Sequence, residues 1–254
     1  MAKINKLGVQ LFTVRDHMGN EEALRETFRK LKEIGYDEVQ TAGCAVPYDV
    51  FGQLAHDAGL EIIGTHDDLG LMLNDTDKAI ERHEALGAKI MGIGGYGFAD
   101  AAAIDTFCEQ INALGKKIAS KGYKFSYHNH SSEFGKAGED RIILQHLADG
   151  MDRDFGTFCL DTYWVQHGGG DVRYWIEKLA GRISVLHLKD MKMVGGSQTM
   201  TEIGNGNLWW DGIIEEANKS GVEHYVVEHD VCWIDDDPFK SLAVSAEYLR
   251  KNFM

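Results

Sequence analysis

Eight short apolar runs, most of them set off from the helical period before them by a glycine, leave this chain few folds to choose from. Gly35, Gly59, Gly87, Gly122, Gly181 and Gly221 each follow a helical pattern and precede an apolar run by one or two residues, where the left-handed residue after a helix belongs. This punctuation predicts strands at 6–11, 37–41, 61–65, 89–93, 124–128, 156–160, 183–188 and 223–228. Helical periods lie between them. The clearest is 101–121, where Ile104, Phe107, Cys108, Ile111, Leu114 and Ile118 recur at three- and four-residue steps. Asn20 is placed to cap a helix over 21–34 and Asp75 one over 76–86, while Asp237 stands before Pro238 at the start of a terminal helix. The fifth helix, near 141–149, is the least regular. Eight such units in 254 residues predict a (β/α)8 TIM barrel, a single domain over 1–254, rather than a doubly wound sheet.

A barrel of this kind builds its active site where the strands end. The stretch "FSYHNHSSEF", residues 125–134, closes the fifth strand; side chains two apart share a face, so His128 and His130 are expected to point one way and Asn129 the other. The next three strands end comparably: "FCLDTYW" supplies Asp161, "VLHLKD" supplies His187 and then Lys189, and "YVVEHD" supplies Glu228 and then Asp230. Two imidazoles and two carboxylates, His128, Asp161, His187 and Glu228, form a nitrogen and oxygen set for one divalent metal ion such as Mn, Zn, Co or Fe. Any one of them alone could simply cap the following helix. Four at consecutive strand ends favour a shared site.

The balance of 26 basic against 40 acidic residues, a net charge of −14, argues against nucleic acid and membrane surfaces as partners, because both are anionic. A small-molecule substrate and metal cations remain, and the oligomeric state, a homo-oligomer included, stays open. The first residues lack a signal-peptide pattern and no segment approaches the apolar length of a membrane span, so a cytoplasmic location is expected. Cys44, Cys108, Cys159 and Cys232 are scattered without a C-x-x-C pair, which reads as reduced, structural thiols.

The motifs "GVQLFTVRD", "LDTYW", "HLKD", "EIGNGNLWWDG" and "VVEHD" together resemble the xylose isomerase-like superfamily, and within it the sugar phosphate isomerase/epimerase group. The resemblance runs the length of the chain. It implies a TIM barrel that holds one divalent cation, usually through Glu, Asp, His and Glu, with the two glutamates moving protons on adjacent sugar carbons. Asp161, His187 and Glu228 match those positions, while the usual "E-N-H" reads "H-N-H" and puts His128 where the first glutamate would stand. A metal-bound imidazole has no lone pair left for proton abstraction. Another base is then needed, with Glu133, His130, Lys189 and Glu228 as candidates. Gln40, in "DEVQTAG", is a second departure, where relatives often carry a glutamate.

By position, Gln10 on the first strand and His66 after the third are candidate hydroxyl binders. Trp164, Trp209, Trp210 and Trp233 follow the last three strands and offer flat faces either to a sugar or to loop packing; Trp164 and Trp209 are the substrate-binding candidates among them. The run "GIGGYG", 92–97, lacks the spacing of a nucleotide motif and reads as a tight turn. Arg15, Lys189 and Lys192 are the cations expected near the mouth, few for a phosphate dianion, so an uncharged sugar fits at least as well as a sugar phosphate. The expected activity is metal-dependent isomerisation or epimerisation of a keto-sugar through a proton taken next to the carbonyl. A lyase or dehydratase is the alternative, and a sugar-binding barrel without catalysis the non-enzyme reading. An apurinic-site endonuclease, of the same barrel ancestry, would need a multi-zinc ligand cluster and a basic surface.

Overall fold

Every predicted apolar run forms a parallel strand of one closed barrel. The computed structural model describes residues 3–138, 141–232 and 234–254. The barrel strands are β1 (Gly8–Gln10), β2 (Glu38–Thr41), β3 (Glu61–His66), β4 (Ile90–Ile93), β5 (Lys124–His128), β6 (Gly156–Asp161) and β7 (Ile183–Leu188). A hairpin, β8 (Asp190–Val194) and β9 (Ser197–Thr201), follows, and β10 (His224–Val227) closes the ring against β1. The short strands β2 and β4 are buried along their whole length, as barrel strands covered on both faces must be.

The helices are α1 (Glu21–Ile34), α2 (Tyr48–Asp57), α3 (Leu69–Asn74), α4 (Thr76–Leu86), α5 (Ala101–Ala119), α6 (Ile143–Gly150), α7 (Thr162–His167), α8 (Val172–Lys178), α9 (Trp210–Lys219) and α10 (Pro238–Phe253). Of these, α3 and α7 are single extra turns on the connections after β3 and β6, and the other eight are the barrel's helical units. The predicted caps are in place: Asn20 accepts from the Ala23 amide, Asp75 from Lys78, and Asp237 from Phe239 and Lys240. The six punctuating glycines all adopt φ between +73° and +101°, a conformation that side chains other than glycine reach only at a cost of about 1 kcal/mol or more.

Between strands and helices lies the main core, with Phe28 edge-on to Phe51 at 5.3 Å; each such buried side chain contributes about 1.5–3 kcal/mol. Inside the barrel a smaller cluster of Ile63, Ile90, Cys159, Val185 and Val226 forms the floor beneath the strand ends. All four cysteines are free, as expected. Among the described residues no helix is long and apolar enough to cross a membrane.

The hairpin, like α3 and α7, is an element that a count of barrel units passes over. Its turn, Gly195 and Gly196 at φ +57° and +86°, matches the twist of a tight antiparallel pair. It matters because it carries Asp190 (0% exposed), whose carboxylate accepts from the amides of Met191, Gly204, Gly206 and Leu208 and from the Trp210 indole. One buried anion thus ties the Asp of "HLKD" to the whole of "GNGNLWW", and fixes the loop beside Lys189.

Candidate metal centre

Asp161, at the last position of β6, serves two purposes at once. Its Oδ1 caps α7 by accepting from the Trp164 amide at 2.9 Å, while Oδ2 turns inward to lie 3.4 Å from His128 Nε2 and 3.8 Å from His187 Nδ1. Asn129 faces away, as the alternation predicts, and its Oδ1 accepts from the Asp161 amide, which locks the ends of β5 and β6 together.

His187 Nδ1 is 2.9 Å from Glu228 Oε2. Yet both atoms are buried and the two are not aligned as a hydrogen bond, and Glu228 Oε2 also faces the Lys189 ammonium at 2.8 Å, an arrangement that suits ligand atoms aimed at a common point rather than at each other. One ligand atom from each of His128, Asp161, His187 and Glu228 falls within 4.8 Å of all the others, and all four residues are buried.

The second nitrogen of each imidazole confirms the aim of the first. A carbonyl oxygen only accepts, so His128 Nδ1, 3.2 Å from the Gly94 carbonyl, carries the proton and leaves Nε2 free. His187 Nε2 donates likewise to Gln40 Oε1 at 2.6 Å, leaving Nδ1 free. Metal-ligating histidines are held this way by their outer neighbours. The residues therefore fit a divalent ion on donor chemistry and on orientation.

Charge points the same way. Burial alone would raise Asp161 and Glu228, but the Lys189 ammonium, 3.2 Å and 2.8 Å from them, together with the neighbouring imidazoles holds both far below the ordinary carboxylate range. Burial opposes a charge on His187, and the Cys159 sulfur with the Glu228 and Asp161 carboxylates nonetheless raises it well above an ordinary imidazole, so Nδ1 attracts a cation, whether a proton or a divalent ion. Cys159, pushed up by burial, stays a neutral thiol below it.

The ligand set opens into a cleft of about 650 Å³ at the strand ends, lined among others by Phe12, Arg15, His66, His130, Glu228 and Asp230. His130 shares the face of His128, with ring centroids 4.7 Å apart, and burial lowers it to about 4, so it is a neutral imidazole near pH 7. His66 stacks on His128 at 5.0 Å. Trp164 does not line the cleft; it backs His130 at 5.3 Å.

Four further expectations place differently. Lys189 lines the cleft, but burial, which would lower it, is outweighed by Asp161, Glu228 and Asp230, so it is held as an ammonium and is a donor rather than a base. The Glu133 carboxylate is 1% exposed and already accepts from the Tyr127 hydroxyl, the His130 amide and the Ser132 hydroxyl, so the structure does not bring it to the cleft. Gln10 is fully buried, its amide engaged with the Phe12 N–H, Gln40 and His66. Trp209, 61% exposed, stands in a separate groove under the Arg173 guanidinium, and Trp233 lies outside the described residues. "GIGGYG" leaves β4 in a bend, as expected, with Gly95 at φ +141°; within the strand, a Cβ at Gly92 would come 2.4 Å from the Thr65 carbonyl. What sequence reasoning missed is the service of Gly94 and Gln40 to the two imidazoles. Gln40 stood out only as a departure from relatives.

The sequence pattern of the xylose isomerase-like TIM barrel family matches residues 28–252. Over 85 residues the chain is 31% identical to an inosose dehydratase of Salmonella agona, a match covering 34% of this chain and 27% of that protein. The chain therefore aligns with only about a quarter of the dehydratase's length. A sugar phosphate isomerase/epimerase of Parabacteroides distasonis superposes with a TM-score of 0.83 at 24% identity, over 99% of this chain and 96% of the other. A probable 3-DHS dehydratase from Bacillus anthracis superposes at 0.71 with 15% identity, over 97% and 99%. At these identities the two structures speak to the fold alone.

Proposed function

Because the chain belongs to the xylose isomerase-like TIM barrel family, we propose that it is a divalent-metal-dependent enzyme that removes a proton next to the carbonyl of an uncharged keto-sugar or keto-polyol and then expels a β-substituent, as a lyase or dehydratase. His128, Asp161, His187 and Glu228 would hold the ion. When bound, it polarises the substrate carbonyl and so acidifies the neighbouring C–H.

The observation that carries the choice of reaction is the pairing of Glu228 with His128 across the ligand set. An epimerase relay needs a second proton carrier facing Glu228. His128 has one nitrogen committed to Gly94 and the other turned to Asp161, and Glu133 is spent on its own loop. Glu228, whose carboxylate lies at the cleft, takes the proton. Lys189, an ammonium 2.8 Å away, stabilises negative charge growing on the substrate and can protonate a departing hydroxyl. His130, neutral and lining the cleft, can hold a substrate hydroxyl. The inosose dehydratase match supports the same outcome. Epimerisation is the second reading, favoured if His130, which is free to accept a proton near pH 7, serves as the opposing carrier.

The charge of the cleft supports an uncharged substrate. Arg15 already donates to the carbonyls of Phe12 and Asp230, and Lys189 is surrounded by three carboxylates, so both cations are partly engaged within the protein itself. Turnover of candidate keto-polyols in D₂O, followed by NMR, tests the reading. The proton on the carbon next to the carbonyl should be lost to solvent during turnover, and Glu228→Gln should slow that loss by about 10²- to 10⁴-fold. Product that retains the substrate's α-proton would exclude α-proton abstraction.

A further inference from the structure

We propose that His128 makes this centre selective for ions that prefer imidazole, Zn²⁺, Co²⁺ and Fe²⁺, against Mn²⁺ and Mg²⁺. The inference rests on the metal reading above and narrows it. Two of the four ligand atoms are imidazole nitrogens, and each is locked as a ligand by its outer partner, the Gly94 carbonyl at 3.2 Å and Gln40 Oε1 at 2.6 Å. The two carboxylates are shared with the Lys189 ammonium, which offsets part of their charge. Hard ions draw their affinity from anionic oxygen, whereas borderline ions gain from nitrogen. Reduced carboxylate charge and two oriented imidazoles therefore act in the same direction.

The surroundings of position 128 are built for an imidazole and not for an acid. The Gly94 carbonyl faces His128 Nδ1 and needs a donor there; a carboxylate in its place would meet that carbonyl acceptor to acceptor. A Cβ on Gly95 would lie 3.1 Å from His130 Nδ1, and Gly95 sits at φ +141°, so this turn keeps its path close to both rings. Selectivity is thus a property of the turn and the strand end together.

The test uses the intact protein, stripped with a chelator and titrated calorimetrically with Co²⁺ and with Mn²⁺, beside His128→Glu. The ratio of Co²⁺ to Mn²⁺ affinity should fall by about tenfold or more in the variant. An unchanged ratio, with both proteins binding both ions, overturns the proposal while leaving the metal site standing. Failure of the wild type to bind either ion would overturn both. The wild type alone gives a second reading if the variant does not fold. Its Co²⁺ form should show two exchangeable, paramagnetically shifted imidazole N–H signals in proton NMR, His128 Nδ1–H and His187 Nε2–H. Absence of the His128 Nδ1–H signal while that of His187 is present would remove His128 from the ligand set and the proposal with it.

Discussion

Gln40 and His187, 147 residues apart in the chain, share a 2.6 Å hydrogen bond in which the imidazole Nε2–H donates to the amide oxygen. The same oxygen also accepts from Gln10 Nε2 at 3.0 Å. Strand β2 thereby decides which nitrogen of a β7 residue faces Asp161 and Glu228. Gln40→Leu should remove that control and lower Zn²⁺ or Co²⁺ affinity by about 10- to 100-fold, whereas Gln40→Glu, which keeps the acceptor, should bind within a few-fold of wild type. Titration of the stripped proteins distinguishes the two. Equal weakening in both variants would mean that Gln40 acts through packing alone.

Chelation should act on stability as well as on function. An ion that binds only the folded chain adds about 2.7 kcal/mol when present at a hundredfold excess over its dissociation constant. Removing it should therefore lower Tm by several degrees, and re-addition should restore it. His128→Ala, Asp161→Ala, His187→Ala and Glu228→Ala should each lose most of the metal recovered in elemental analysis. Wild-type metal content in all four would place the ion elsewhere.

The barrel was legible because its signals are local. A glycine after each of six helices and a polar residue at each of the later strand ends are read within a few positions, and strand alternation correctly set His128 and His130 on one face with Asn129 on the other. Direction in loops is not local. Glu133 lies five residues past His128 and is close to it in sequence, yet the Tyr127 hydroxyl and the Ser132 hydroxyl hold its carboxylate away from the cleft. Gln10 and Trp209 were likewise placed by their strand or loop, and only packing reveals that one is enclosed and the other turned into a different groove. The hairpin carries its own local cue in "KMVGGSQTM", two glycines between alternating residues.

That hairpin supports the next expectation. Asp190 is wholly buried and receives five N–H donors, so Asp190→Ala would leave several buried donors unpaired at about 1–3 kcal/mol each. A loss of at least about 3 kcal/mol in urea denaturation is expected. Asp190→Asn, which keeps the shape but can accept through only one oxygen, should fall between the variant and the wild type. A change below about 0.5 kcal/mol in Asp190→Ala would mean that the loop holds its place without this anchor.

Acid should destabilise the fold before the carboxylates titrate. Burial lowers His229 to about 4, with its Nε2 beside the Ser245 hydroxyl at 3.0 Å and its Nδ1 without a partner; burial lowers His130 to about 4 as well. An unfolded histidine takes up its proton near ~6.5. Stability from these groups is therefore complete above that pH and is lost as pH falls from there towards about 4, because the unfolded chain binds protons first. For His229, which is 1% exposed, the slope approaches about 1.4 kcal/mol per pH unit inside this window. Asp161 and Glu228, held low, add their losses only below about pH 4.5, where unfolded carboxyls begin to protonate. Urea denaturation of chelated protein at pH 7, 6 and 5 should show the decline, and His229→Gln should remove one histidine's share of it while leaving the steeper fall below pH 4.5. If the wild type and His229→Gln decline in parallel between pH 6.5 and 5, His229 carries no part of the acid sensitivity and the unfavourable burial of its charged form is already relieved by Glu202 and Glu228, the two carboxylates that act to raise it.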